Sequence, residues 1–444
     1  MKLRSMRDFI RFCFPGLALM LIFAGSNSLA AEVLTLKKAE HLALLNEPGI
    51  LGLDAKTQSM MQKSVAAGEL MDPKLQFGLL NLPTDSFDFN QENMTQFKLG
   101  YIQQFPSGDS RALKRDKAVS QSRQFQHQIE ERKRQLLTRV RLSYLETLYW
   151  EQARETVRQN RQLVSQLEEF VQSLFSVGRT NQFEFISVQQ RLSKLDDRLT
   201  QIEQNIRGER YRLSEWVGER FTDLPLSAGL PVFRQVSLEQ LDLEQINRLI
   251  AQHPKIQEIN NQIDVSRKDM ELIRESEKPG WALNVSYAYR DDAPDGTDRA
   301  DFFSAMVTLD LPLFTENRQG KEQQAQQYEV KASQLQRDAM LRKLRSDVLR
   351  LKTNLELSEQ RDALYRETLV LQTEQRSQAA LQAYQSGSGS FADVLQAYME
   401  VLNIQLEQKR IQIDSMKSRA QLLYFLQASS DADNHSATSS NISN

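Results

Sequence analysis

The chain has 444 residues, 56 basic and 58 acidic side chains, a net charge of −2 and a single cysteine. This balance excludes the basic footprint of a nucleic-acid-binding protein, and one cysteine excludes a disulfide framework. His41, His127, His253 and His435 are too scattered for a metal-ligand motif, and with no phosphate loop or nucleophile elbow neither an enzyme nor a cofactor is expected.

Residues 1–30 read as a secretory signal peptide. Lys2, Arg4, Arg7 and Arg11 precede a short apolar run, Pro15 to Gly25, and Ser28 and Ala30 supply the small residues of a cleavage site after Ala30. Cys13 leaves with this segment, and the remaining chain carries 52 basic against 57 acidic residues. No later apolar run reaches the roughly 18–20 residues of a membrane-spanning helix, so any crossing of a bilayer must use a β-barrel.

Residues 31–228 form the first of two structural repeats. LTLKKAEHLALLNEP and the stretch up to the first strand read as two helices, with Thr35 as a cap and Pro48 restarting the second. Strict alternation then predicts a β-hairpin over 74–105. A long helical hairpin over 110–218 comes next, turning at Gly178. Its first arm, 67 residues from Ser110 to Ser176, would be roughly 100 Å long at about 1.5 Å per residue. Val157, Val164 and Val171 step by seven along it, the signature of a coiled-coil seam.

Residues 229–428 repeat the plan. Pro254 and Pro279 lie 206 residues after Pro48 and Pro73, and Gly387 lies 209 after Gly178. The second β-hairpin is expected over 280–314 and the second helical hairpin over 316–427, with Leu341, Leu344, Val348, Leu351 and Leu355 as its seam. The change of offset by three is assigned to the second β-hairpin loop, DDAPDGTDRAD. The polar segment 429–444 is expected to be a disordered tail.

Alternation alone also fits a half-buried sheet in a soluble sandwich. The export signal, the aromatic content of the strands and the strand count favour a membrane barrel instead. Each chain has four strands, closed membrane barrels need about eight, and an open edge cannot face lipid. Several chains must therefore share one barrel. On this reading Leu283, Val285, Tyr287, Val307 and Leu309 face lipid, while Asn284, Ser286, Thr308 and Asp310 face the lumen.

The order of these elements, with DPKLQFGLLNLP, IQQFPSGDSRALKRDKA, LDLPLFTENRQGKEQQAQ and YQSGSGSFADVLQA, resembles the TolC family of outer-membrane efflux ducts, and the first two motifs look like its heavy-metal, cation-efflux branch. The resemblance spans roughly residues 33–428. It implies an α+β membrane protein: a homotrimer whose strands form one 12-stranded barrel in the outer membrane, with coiled-coil hairpins forming a periplasmic α-helical tunnel. The implied partners are a periplasmic adaptor and an inner-membrane transporter, and the implied function is a passive exit duct, with metal cations as one candidate cargo. The resemblance also places Asp393 on the tunnel wall near its periplasmic end as a gate candidate. Gln396 stands where a second carboxylate is usual, and Glu184, 209 residues before Asp393, takes the matching place in the first repeat. The hairpin tips, Gly178, Arg179 and Thr180 and again Gly387, Ser388 and Ser390, are candidates for adaptor docking. A type I secretion channel and a pore-less periplasmic tether remain as alternatives.

Overall fold

The computed structural model describes residues 33–426 except 46, 222, 228 and 234–241. The signal peptide at 1–30 and the tail at 429–444 lie outside the described residues. Each half of the chain contributes two shorter helices, two strands and a long helical hairpin. The first half contains α1 (Leu36–Leu44), α2 (Pro48–Gly68), β1 (Lys74–Leu80), β2 (Gln96–Phe105), α3 (Ser110–Ser176) and α4 (Gln182–Val217). The second contains α5 (Leu243–Ala251), α6 (Pro254–Glu275), β3 (Gly280–Tyr289), β4 (Phe302–Asp310), α7 (Gln319–Leu364), α8 (Val370–Gln385) and α9 (Phe391–Leu426).

The two β-hairpins join into one antiparallel sheet of order β1-β2-β3-β4, with β2 pairing β3 across the halves. Three observations correct the sequence reading. Strand β4 ends at Asp310 rather than near 314, because Pro312 has no N–H to continue a ladder. The offset of 206 persists through the second hairpin loop, since Pro312 still lies 206 after Pro106, and the three extra residues fall between that proline and the next helix. Finally, the arm starting at 319 is not one α-helix, because a π-helical turn, Tyr365–Leu369, separates α7 from α8.

Helix α2 starts with Pro48 and α6 with Pro254, each preceded by a capping side chain. Glu47 accepts the Ile50 N–H at 2.6 Å and pairs with Arg132 of α3 at 2.5 Å. At the equivalent position His253 caps α6 through Nδ1, which accepts the Lys255 N–H at 3.3 Å, and it faces Glu131, the adjacent residue of α3. The repeated joint keeps its geometry and changes its chemistry.

Below the sheet the wall runs α4–α3–α9–α7/α8, and nearer the sheet α2–α3–α6–α7. The α3 seam is buried as expected: Val157, Val164 and Val171 pack with Val188, Leu195 and Ile202 of α4 and with Leu402 of α9. The α7 seam finds a different partner. Leu344, Val348, Leu351 and Leu355 cover Ile246 and Ile250 of the short helix α5 together with Leu422 and Phe425. Seven-residue spacing specifies an apolar stripe, not which helix covers it.

Candidate functional site

Three regions carry the chemistry of this fold: the faces of the sheet, the groove along the helical wall, and the hairpin tips. Cross-strand partners project to the same side of a sheet, so the register alone defines the two faces. Leu99 pairs with Phe77 and Tyr287, and Tyr287 with Phe303. Tyr101 pairs with Leu75 and Val285, and Leu283 with Val307. Trp281 pairs with Phe105 and Leu309. One continuous apolar face results, containing all five residues expected to face lipid. The opposite face carries Gln76, Gly100, Ser286 and Ser304 in one cross-strand row and Asn284, Met306 and Ile102 in another. Aromatic rings mark both ends of the apolar face. Phe105 stacks on Trp281 with centroids 4.0 Å apart at the helix end, and Tyr289 stacks with Phe89 at the loop end. Such girdles occupy the two interfaces of membrane barrels.

A groove of about 960 Å³ runs along the wall between α4, α3, α9 and α7. Glu146 sits at its floor as an ionic hub, accepting from Arg410 at 2.9 and 3.1 Å and from Lys417. Burial pushes the Glu146 carboxyl up, but the two cations more than offset this and hold it below the usual range. Glu209, across the groove, is held high by burial, and its Oε2 makes no hydrogen bond among the described residues. Nothing in the spacing of Glu146 and residues 410–417 announces this network, because 264 residues separate its members. Among the described residues no cluster of three or more His, Cys, Asp or Glu forms a metal site, and no helix is long and apolar enough to cross a membrane.

The two tips are built on one motif. Gly178 at φ +71° and Gly387 at φ +77° follow the helix ends in the left-handed region that glycine tolerates. In the first, Arg179 N–H reaches Leu174 O at 2.9 Å and Gly178 N–H reaches Phe175 O at 3.0 Å. In the second, Ser388 N–H reaches Ala383 O at 2.9 Å and Gly387 N–H reaches Tyr384 O at 3.0 Å. Both are Schellman caps. Their surroundings differ: the first tip exposes Phe175, Val177, Phe183 and Ile186, whereas the second is Ser386-Gly-Ser-Gly-Ser390.

The gate candidates separate. Asp393 is exposed in the first turn of α9 and exchanges bonds with Ser390, whose Oγ accepts the Asp393 N–H at 3.2 Å and donates to Oδ2 at 2.7 Å. Gln396 is exposed one turn further on. Glu184 is half-buried and points to the other hairpin: its carboxylate accepts from the Tyr384 hydroxyl at 2.9 Å and from Thr180. That bridge between the tips was not legible in the sequence, since no local spacing links residues 200 apart.

Residues 245–426 match the family model of outer membrane efflux proteins. No curated protein sequence matches the chain. Among solved structures, the outer membrane protein VceC of Vibrio cholerae superposes with a TM-score of 0.74 at 15% identity, over 88% of this chain and 95% of that one. The CmeC outer membrane channel of Campylobacter jejuni gives 0.72 at 12% identity over 92% and 90%, and CusC gives 0.69 at 13% over 88% and 91%. CusC therefore stands no nearer than the others, and the comparisons do not distinguish a branch. Residues 245–426 thus match the model of the outer membrane efflux protein family, and the described chain, first half included, shares the fold of these solved outer membrane proteins.

Proposed function

We propose that this outer-membrane efflux channel is the passive exit duct of a tripartite system: a homotrimer, docked by its tips on a periplasmic adaptor and supplied by an inner-membrane transporter. The carrying observation is the unfinished sheet. Strands β1 and β4 each keep one unpaired edge, and β4 is exposed on both faces. An even-stranded antiparallel meander lets β4 of one copy pair β1 of the next with alternation preserved. The helices repeat the pattern: α6 packs between α3 and α7, whereas among the described residues α2 packs on α3 alone. Leu357 and Leu364, seven residues apart on α7, are exposed and leave an uncovered seam there. Mass measurement in detergent should give three chains, and the protein in a planar bilayer should conduct. A folded monomer that requires no detergent would return the chain to the tether reading.

For cargo we keep the metal-cation reading of the Asp-Pro and Phe-Pro motifs. A strain lacking the duct should become sensitive to divalent metals while polypeptide secretion continues. Lost secretion with unchanged metal tolerance would favour the type I channel.

Within this reading the tips serve docking and Asp393 serves the gate. A Cβ at Gly387 meets no atom within 4 Å, so Gly387→Val strains only the turn, by about 1–2 kcal/mol. It should impair efflux and leave the trimer intact; full efflux would leave the glycine with a turn role alone. Asp393 is exposed, so three copies near a narrow end would attract cations. Asp393→Ala should lower cation selectivity in single-channel recordings and weaken block by multivalent cations. Glu184→Ala, which also releases Tyr384, should change gating noise more than selectivity. Unchanged selectivity and block in both variants would leave Asp393 as a helix cap favoured by the dipole, worth about 0.3–1 kcal/mol.

A further inference from the structure

Where the sheet meets the helices, one chain contains a complete joint and two half-joints. The complete joint lies between the end of α6 and the start of α3. Asp109, the residue before α3, donates its backbone N–H to Glu275 Oε2 at 2.7 Å, and Lys278 Nζ donates to the same carboxylate at 2.7 and 2.8 Å. The fit is close: a Cβ at Gly108 would fall 1.7 Å from Glu275 Oε2.

The internal repeat generates the counterparts. Shifted by 206 residues, Glu275 and Lys278 become Glu69 and Asp72, at the end of α2. Shifted by 209, Asp109 becomes Arg318, the residue before α7. These counterparts do not meet within the chain. Glu69, Asp72 and Arg318 are exposed, and their side chains make no hydrogen bond or ion pair among the described residues. Apolar side chains accompany each: Leu70 and Met71 beside the acids, and Leu313 and Phe314, 75% and 87% exposed, beside the arginine. The three extra residues of the second repeat lie in this arm, between Pro312 and Arg318.

We propose that these are the two halves of a joint between subunits: Arg318 of one chain seats against Glu69 and Asp72 of the next copy, with Leu313 and Phe314 over Leu70 and Met71. The proposal rests on the closed-ring reading above. Its chemistry makes the ring directional. The internal socket pairs Lys278 with Glu275 and is neutral, whereas the subunit socket presents two carboxylates, which attract Arg318 and repel Asp109. Each helix start is therefore favoured by one socket over the other, so a heterologous interface closes in a single register.

The test uses the full chain, whose one cysteine, Cys13, lies in the 1–30 segment assigned to the signal peptide. Membranes containing the Glu69→Cys/Arg318→Cys variant are treated with a short bismaleimide and run on a denaturing gel. The expected result is conversion of the monomer band to dimer and trimer, with each single-cysteine variant remaining monomeric. A link within one chain, or no link while the detergent mass remains three chains, overturns the joint. A detergent mass other than three chains fails the ring reading itself, on a separate measurement. As a second readout, Arg318→Glu should lower the melting temperature of the trimer by several degrees, and adding Glu69→Arg and Asp72→Arg should restore most of it. Additive loss in the triple variant also overturns the pairing.

Discussion

Val285→Arg is expected to abolish assembly of the barrel, whereas Asn284→Arg should leave trimers that reach the membrane. The two residues are adjacent near the middle of β3, which spans Gly280–Tyr289, so local strand propensity and backbone position are the same for both. They differ in face. Val285 lies in the apolar row between Tyr101 and Ala305, and Asn284 lies in the opposite row between Ile102 and Met306. An arginine at the lipid midplane costs about 2–4 kcal/mol per chain, and a ring of three would bear that cost three times. An arginine on the lumen side keeps its head in water. Yield of heat-stable trimer in outer-membrane fractions reads the difference. Equal yields would mean that the apolar face does not meet lipid, and the barrel reading would fall with it.

How much of this was legible beforehand depended on the range of the interaction. Period-two alternation placed KLQFGLL and WALNVSYAY on strands that the structure reproduces as Lys74–Leu80 and within Gly280–Tyr289, because pleating is a property of neighbouring residues. Glycines 178 and 387 marked both reversals, because a Schellman cap needs one residue at positive φ. Proline offsets revealed the duplication. What the sequence did not show was which surfaces meet. The pairing of β2 with β3, the covering of the α7 seam by α5, and the hydroxyl of Tyr384 on Glu184 all join residues far apart in the chain. The π-helical turn at Tyr365–Leu369 left no mark either: the two long arms are 67 residues each, so no insertion betrays it. The site residues divide in the same way. The faces of the strands followed from local alternation, while the different surroundings of Asp393 and Glu184 depended on which hairpin packs beside which.

Acid should weaken this fold through His253, and His253→Asn should flatten the loss. The imidazole is fully buried, 3.8 Å from Glu131 Oε2, edge-on to Tyr424 and beside Phe425. Its Nδ1 accepts the Lys255 N–H that caps α6. Glu131 accepts from the Tyr424 hydroxyl at 2.5 Å and from Gln135 at 2.7 Å, both at Oε1, and among the described residues its Oε2, the oxygen facing His253, accepts no hydrogen bond. Burial, reinforced by Arg134 and Lys255 and opposed by Glu131, pushes the histidine down to about 4. Unfolded, it would titrate near 6.5. The folded chain therefore holds fewer protons than the unfolded one between those values. The stability of the neutral form is full above about pH 6.5 and drains away as pH falls toward 4, by a total of roughly 3 kcal/mol per chain. Protonation would also occupy the nitrogen that accepts the cap. Asparagine is a good cap and does not titrate, so His253→Asn should start lower at neutral pH, because it leaves a cavity, and then lose less on acidification. Burial holds His127 low as well, so the diagnostic is the difference between variant and parent rather than either curve. Denaturant unfolding of the detergent-solubilised protein at pH 7.5, 6.0 and 4.5 would give that difference. Parallel curves would show that the burial of His253 is not what makes the joint between α6, α3 and α9 sensitive to acid.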